Sequence, residues 1–331
     1  MRFSRCLLRM AVCFGLLAAP SVLRAQTSRT SELRGGRWVE IEPPATRPSA
    51  DPALLSIEQL IRDRKYSAAM KSTVAWLKRN RDSPLRDRAL FLMAEALFHY
   101  GNRIKAFYYL DELLDTYPES PLYHQALERQ YQIADAFLNG YKRRFLKIPM
   151  FGAEDEAIEM LYRIQQRAPG SPLAEKALLR TADYYYADAQ YDLAEDAYAA
   201  YARSYPRSPV LPRVRLRQAY SNLAQFRGLK FDATPVIDAK AQLQDIVRDY
   251  PDLAAQENIP GVLERIDNTF ARKLAVTADF YRRTRQPQAA AYTYNLLLKG
   301  YPDSTEAPRA RQALMQLGAV SPATTQPNAQ P

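Results

Sequence analysis

The 331-residue chain has two cysteines, two histidines and eleven glycines. Both cysteines, Cys6 and Cys13, fall within the first 25 residues. The remainder can therefore form no disulfide, no thiolate metal site and no cysteine nucleophile. Cys13 is not read as a lipidation site, because the apolar run continues past it and bulky Val12 precedes it. His99 and His124 have no partner at a spacing that suits metal ligation or a nucleophile–base pair. No Walker loop or dinucleotide fingerprint occurs. The acidic triplet Glu154-Asp155-Glu156 reads as the opening turn of a helix, where carboxylates offset the positive end of the dipole, rather than as a metal site. His99, just before Gly101, suits the opposite end of a helix. With no catalytic constellation in view, the chain is expected to be no enzyme and to use neither cofactor nor metal.

Long apolar runs are also scarce. The one at the start, Met10 to Leu23, follows Arg2, Arg5 and Arg9 and reads as a secretory signal peptide over residues 1–25, cleaved after Ala25. It is shorter than the ~20 apolar residues of a membrane span, and no later stretch reaches that length. The formal charge is +10, and residues 1–25 hold four arginines and no acids, which leaves +6 for the rest. That surplus is spread along the chain and does not point to nucleic acid. Residues 26–52, rich in Arg, Ser, Thr and Pro, read as a flexible linker in which Trp38 is an exposed aromatic. Residues 318–331, rich in Pro, Thr and Gln, read as a disordered tail. The expected location is periplasmic, or peripheral at the outer membrane.

Between them, residues 53–317 carry a repeated signature: an alanine, large residues four and seven positions on, and then Tyr-Pro. Three copies read Ala106, Leu110, Leu113, Tyr117-Pro118; Ala194, Tyr198, Tyr201, Tyr205-Pro206; and Ala290, Tyr294, Leu297, Tyr301-Pro302. Two more run Ala157, Leu161, Ile164, Pro169 and Ala239, Leu243, Ile246, Tyr250-Pro251. A worn first copy has Ala69, Thr73 and Trp76, with Arg81 at the proline position. Residues i, i+4 and i+7 share one helical face, so each copy is a stripe that starts small and ends large. Proline ends the helix, since the residue before it is pushed out of the α region. Ser83-Pro84, Ser120-Pro121, Ser171-Pro172 and Ser208-Pro209 then suit an N-cap serine before a first-turn proline.

This pattern resembles the tetratricopeptide repeat and implies an all-α fold: a right-handed α-solenoid of about six helix pairs. Counting back 24 residues from the proline position should reach the small residue of the first helix. It finds Ala94, Ala182 and Ala278 in three copies, and Ile57, Phe145 and Arg227 in the others. Inserts at 140–153 and 227–235, and an extended or split first helix over 252–284 broken near Ile259-Pro260-Gly261, account for the long spacings. Such inserts either serve binding or reflect drift in length. The many tyrosines are expected to fill inter-helix space with their hydroxyls near water or a partner.

Residues 171–317 also resemble the BamD family of outer-membrane β-barrel assembly lipoproteins. The likeness rests on Arg227-Gly228-Leu229 with the insert Lys230–Pro235, on Ala239–Pro251, and on the long helix Val262–Thr284 containing Ala278-Asp279-Phe280-Tyr281. Tyr301-Pro302-Asp303-Ser304-Thr305 completes it. The chain departs from that family in lacking a lipidated cysteine after the signal and in having one repeat more. The resemblance implies a scaffold that holds assembly subunits and receives unfolded outer-membrane proteins. The other reading is a different envelope adaptor, of the CpoB-like cell-division or secretion-accessory kind.

The candidate site is the face lined by first helices. There the repeat phase puts Arg88, Phe91, Glu95 and Phe98 in the second unit, and Lys176, Leu179, Asp183 and Tyr186 in the fourth. The sixth unit adds Arg272, Ala275, Asp279 and Arg282. A base, an apolar residue and an acid recur in order. This suits a protein or peptide partner, with aromatics as anchors and charges setting direction, although a solvated face of alternating charge has the same composition.

Overall fold

The structure, a computed structural model, describes residues 30–34, 37–41, 51–141, 143–145, 148–151, 154–228 and 231–318. The expected signal peptide, its expected cleavage site and the tail beyond Gly318 lie outside them. The chain divides into two compact units, Met1–Asp51 and Pro52–Pro331. In the first, β1 (Thr30–Arg34) and β2 (Arg37–Ile41) pair antiparallel, Leu33 opposite Trp38. Part of the stretch expected to be a flexible linker is thus a hairpin: Thr, Leu, Trp, Val and Ile supply strand formers on either side of Gly35-Gly36.

The second unit is helical. Five pairs come first: α1 (Pro52–Arg62) and α2 (Tyr66–Arg79), α3 (Arg86–Tyr100) and α4 (Arg103–Thr116), α5 (Tyr123–Leu138) and α6 (Glu154–Arg167), α7 (Pro172–Ala187) and α8 (Tyr191–Ser204), α9 (Leu211–Gln225) and α10 (Thr234–Asp249). A short α11 (Pro251–Gln256) precedes the sixth pair, α12 (Ile259–Arg283) and α13 (Pro287–Gly300), and α14 (Ala307–Gly318) covers its end. The third pair is interrupted by a second hairpin, β3 (Arg143–Phe145) with β4 (Ile148–Phe151). The split near 259 is real: Asn258 adopts a left-handed conformation and α12 starts afresh, with Pro260 in its first turn.

Every signature stripe is buried. Ala106, Ala157, Ala194, Ala239 and Ala290 are fully enclosed, as are Leu110, Leu161, Tyr198, Leu243 and Leu297. The small residues Ala94, Ala182 and Ala278 of the facing helices are equally enclosed. In the first unit, buried Ile57 takes that place. Phe145 and Arg227 do not: Phe145 lies in β3, and Arg227 follows the end of α9. Their inserts fall between the two helices of a pair, so a fixed count back overshoots. Enclosed Ala134 and Ala219 line those first helices instead. The core is accordingly a row of clusters, each pair covering the next.

The turns follow their own rules. Tyr117, Tyr205, Tyr250 and Tyr301 close α4, α8, α10 and α13 at φ −127 to −140° and ψ 60–64°, out of the α region as the following proline requires. The expectation of N-cap serines holds only for Ser171, whose oxygen accepts from the Ala174 amide at 3.1 Å. Ser83, Ser120 and Ser208 sit one turn earlier, accepting from the amide two residues on, and the helices start after Leu85, Leu122 and Val210. There the serine–proline pair shapes a turn that leads into the helix.

First helices share another ending. Arg64, Gly101, Gly140, Ala189 and Arg285 all have positive φ, from 57 to 96°, and the next amide bonds back five residues, as in Asn102 to Leu97 and Gln190 to Tyr185. This is the Schellman closure, normally a glycine position. Three copies carry Arg or Ala, whose Cβ crowds the backbone there. Ala189→Gly is expected to raise the urea midpoint by roughly 1 kcal/mol of stability, and Gly101→Ala to lower it by a similar amount. Unchanged midpoints in both would show that these turns are not under strain.

Candidate functional site

The first-helix face is a charged ladder. An acid next to each helix crossing accepts from an arginine on the following first helix. Arg88 in α3 donates to Glu58 in α1 at 2.9 and 2.6 Å, and Arg129 in α5 to Glu95 in α3 at 2.6 and 2.8 Å. Arg180 in α7 reaches Asp135 in α5 at 2.6 Å, and Arg217 in α9 reaches Asp183 in α7 at 2.9 Å. The ladder skips the step from α9 to α12 among the described residues, where Lys240 of α10 pairs with Asp267 of α12 instead. It resumes with Arg309 of α14 on Asp279 of α12 at 2.5 Å.

Several residues expected to meet a partner therefore meet one another. Arg88, Glu95, Asp183 and Asp279 join neighbouring units. Phe91, Phe98, Leu179 and Tyr186 are half-buried. Phe98 lies under two guanidinium groups, Arg129 at 4.4 Å and Arg103 at 5.1 Å, and Arg217 covers Tyr186 at 5.6 Å. Ala275 is buried. Lys176, Arg272 and Arg282 remain exposed, Arg282 leaning on Asp279 at 3.2 Å.

Asp279 is the hub of the last unit. It is 8% exposed and accepts from the hydroxyl of fully buried Tyr294 at 2.6 Å besides both arginines. The fourth unit repeats the device: Tyr198 donates to Asp183 at 2.7 Å. Tyr201 shares a network with Glu175 at 2.5 Å and Ser208 at 2.8 Å, and Ser208 donates to the same Glu175 oxygen at 2.6 Å. In the second unit, Ser120 donates to Asp87 at 2.6 Å. The tyrosine hydroxyls thus point at carboxylates of the paired first helix, a partner the sequence pattern did not reveal. Burial, then the adjacent carboxylate, pushes the Tyr201 and Tyr294 phenols up to about 12 and raises Tyr198 as well. Ser208 and Tyr201 hold the Glu175 carboxyl in its ionised form: its pKa is lowered by the Ser208 bond first and the Tyr201 bond second.

What sequence reading missed is the exposed apolar pair of the sixth unit. Val276 and Phe280 of α12 are 59% and 52% exposed, four residues apart and adjoining Arg272 and Asp279. Arg272, Ala275 and Val276 line a cleft of about 380 Å³ with Asn268 and Thr269 of α12, Glu306 just before α14 and Arg309 within it. The i, i+4 spacing of Val276 and Phe280 was legible; their exposure was not, since it is set by how the helices pack.

A raised phenol pKa stabilises the fold fully below the unfolded value near 10. That contribution is lost as pH climbs toward the folded value. Urea midpoints are thus expected to fall between pH 10 and 12, and the double variant Tyr201→Phe/Tyr294→Phe to flatten that fall while costing about 1 kcal/mol per lost hydrogen bond at pH 7. An alkaline decline of the same depth in the variant would assign it to other groups. Asp279→Ala, which leaves Tyr294 and Arg309 without their acceptor, is expected to cost about 3 kcal/mol in the same assay.

No curated protein sequence matches the chain. Among solved structures it is similar to the C-terminal part of a tetratricopeptide-repeat protein from Cytophaga hutchinsonii, with 14% identity, a TM-score of 0.30, and coverage of 78% of this chain and 98% of that one. It is also similar to the TPR2AB domain of yeast Sti1, solved as an HSP90 complex, with 13% identity, a TM-score of 0.22, and coverage of 80% and 97%. A tetratricopeptide-repeat family matches residues 88–120, which span α3, α4 and the turn after them. The family described as outer membrane lipoprotein, YfiO, matches residues 152–325, more than half of the chain and every unit from α6 onward. With its helix pairs in place and that family covering their C-terminal majority, this chain is a tetratricopeptide-repeat member of the YfiO, BamD-like outer membrane lipoprotein family.

Proposed function

We propose that the chain is a non-enzymatic scaffold of the cell envelope, exported to the periplasm and acting in outer-membrane protein assembly by holding protein or peptide partners along its first-helix face. Tetratricopeptide and YfiO domains are protein-interaction scaffolds, and the matched family is one of outer-membrane lipoproteins. Among the described residues no helix is long and apolar enough to cross a membrane, and no group of three or more His, Cys, Asp or Glu is placed to hold a metal.

The observation that carries the reading is the surface of the sixth unit. Arg272 is exposed, Val276 and Phe280 stand open beside it, and a cleft runs between α12 and α14. Apolar anchors flanked by a fixed charge are what a partner segment needs. The second and fourth units offer less, because Arg88, Glu95 and Asp183 are already engaged in ion pairs with neighbouring helices.

The test is crosslinking of the full chain in cells, followed by mass spectrometry of what it retains. Components of the outer-membrane barrel-assembly machinery are expected, and Arg272→Glu with Val276→Asp is expected to cut their recovery about tenfold. Charge reversal at Asp279 is the wrong probe, since that residue holds α12, α13 and α14 together. Recovery of division or secretion proteins alone would move the chain to the adaptor reading, and recovery indifferent to the two substitutions would remove this face from the site.

A further inference from the structure

The seam between the first two units differs from the one after it. Aligned on Ala69, Ala106 and Ala157, Val74 in α2 holds the place of Asp111 in α4, and Lys78 that of Asp115. Glu112 in α4 likewise holds the place of Arg163 in α6. In the second seam, ions bridge α4 and α6 beside a cleft of about 430 Å³ that Asp115, Glu159, Arg163 and Arg167 line. Arg163 and Arg167 reach Asp111 at 2.9 and 2.5 Å, and Arg167 also reaches Asp115 at 2.7 Å. Gln130 of α5 adds a bond to Asp111 at 3.2 Å.

In the first seam α2 supplies no carboxylate, and a cleft of about 540 Å³ stays open. Val74, Leu77, Leu90 and Tyr109 form its floor, and Lys78, Arg81 and Arg86 stand at its rim. Glu112 is the one acid lining it, and Arg86 engages it at 3.6 Å. Lys78 and Arg81 are exposed and have no carboxylate partner among the described residues. Arg81 occupies the signature's proline position, where the other copies have proline. The backbone does not demand it: Asn80 already has φ −120° and ψ 61°, the shape seen before the prolines of the other units.

We propose that this cleft is a second binding site, on the second-helix side and independent of the first-helix face, for an acidic–apolar segment of a partner polypeptide. One apolar side chain would seat on the Val74, Leu77 and Tyr109 floor. Flanking Asp or Glu side chains would give Lys78 and Arg81 the carboxylates that Asp111 and Asp115 give Arg163 and Arg167 one seam later. Cations drawn from α2, the turn and α3 suit several spaced carboxylates better than one lipid headgroup.

The probe is a fluorescein-labelled twelve-residue helical peptide with leucines flanked by glutamates, titrated into the full chain and followed by anisotropy. Controls replace its Glu by Lys, or its Leu by Ser, and a parallel titration uses phosphatidylglycerol vesicles. Saturable, salt-sensitive binding of the Glu–Leu peptide alone is expected. Lys78→Glu with Arg81→Glu should weaken it at least tenfold, and Arg272→Glu should leave it unchanged. Val74→Asp, which sets a carboxylate one turn from Lys78, should weaken it in a chain with an unaltered melting profile, so a folding defect in the double variant does not decide the matter. Absent binding, equal binding of the Lys or Ser peptides, or indifference to all three cleft substitutions would each overturn the proposal. Vesicle binding lost in the same variants would also overturn it, assigning the cleft to lipid.

Discussion

A helix pair cannot bury its own apolar face, and everything in this molecule follows from that. Each pair meets across an alanine-lined crossing, with Ala94 against the Ala106 helix and Ala182 against the Ala194 helix, all fully enclosed. The large half of the stripe is then left for the next pair to cover. Stability is therefore built by neighbours, and a fault in one unit weakens the units on both sides of it.

Charges fix the stacking that burial alone would leave loose. Hydrophobic contact is non-directional, whereas an arginine that must reach one carboxylate on the preceding helix sets both rotation and rise. Glu95 with Arg129 and Asp183 with Arg217 are each 34 residues apart, and Asp87 with Ser120 and Glu175 with Ser208 are each 33 apart. These separations are the repeat period measured through space. Where the β3–β4 hairpin intervenes, the separation stretches to 45 for Asp135 and Arg180, yet the pair still forms. The insert is extruded from the pair, and the stacking is unchanged.

The fold was legible in the sequence because its signal is local and repeated. Ala, large, large and Tyr-Pro are set by helix period and by proline, neither of which needs tertiary context. The first helices of the interrupted units were harder, since a fixed count back runs into an insert, as at Phe145 and Arg227. Strands at 30–41 escaped notice because a short hairpin among polar residues has little periodicity to show. The face was legible as a list of residues and not as a site. Whether Glu95 or Asp183 waits for a partner or already has one depends on an arginine in the next unit, and the exposure of Val276 and Phe280 is a property of the packed helices.

Helix α12 has a mechanical consequence. Its first half contributes Ile259, Val262 and Ile266 to one core, and its second half gives Ala271, Ala275 and Ala278 to the next. Its 25 residues run roughly 37 Å without a break. Other first helices also face two clusters, as α3 does with Ala89 and Leu92 on one side and Leu90 and Met93 on the other. But α12 divides its contribution end to end, so these two cores share one beam. A load on α14 would be carried by α12 into the core around α10 as a rigid lever, so anything grasped at the C-terminal end would be felt, as torque, one unit further in.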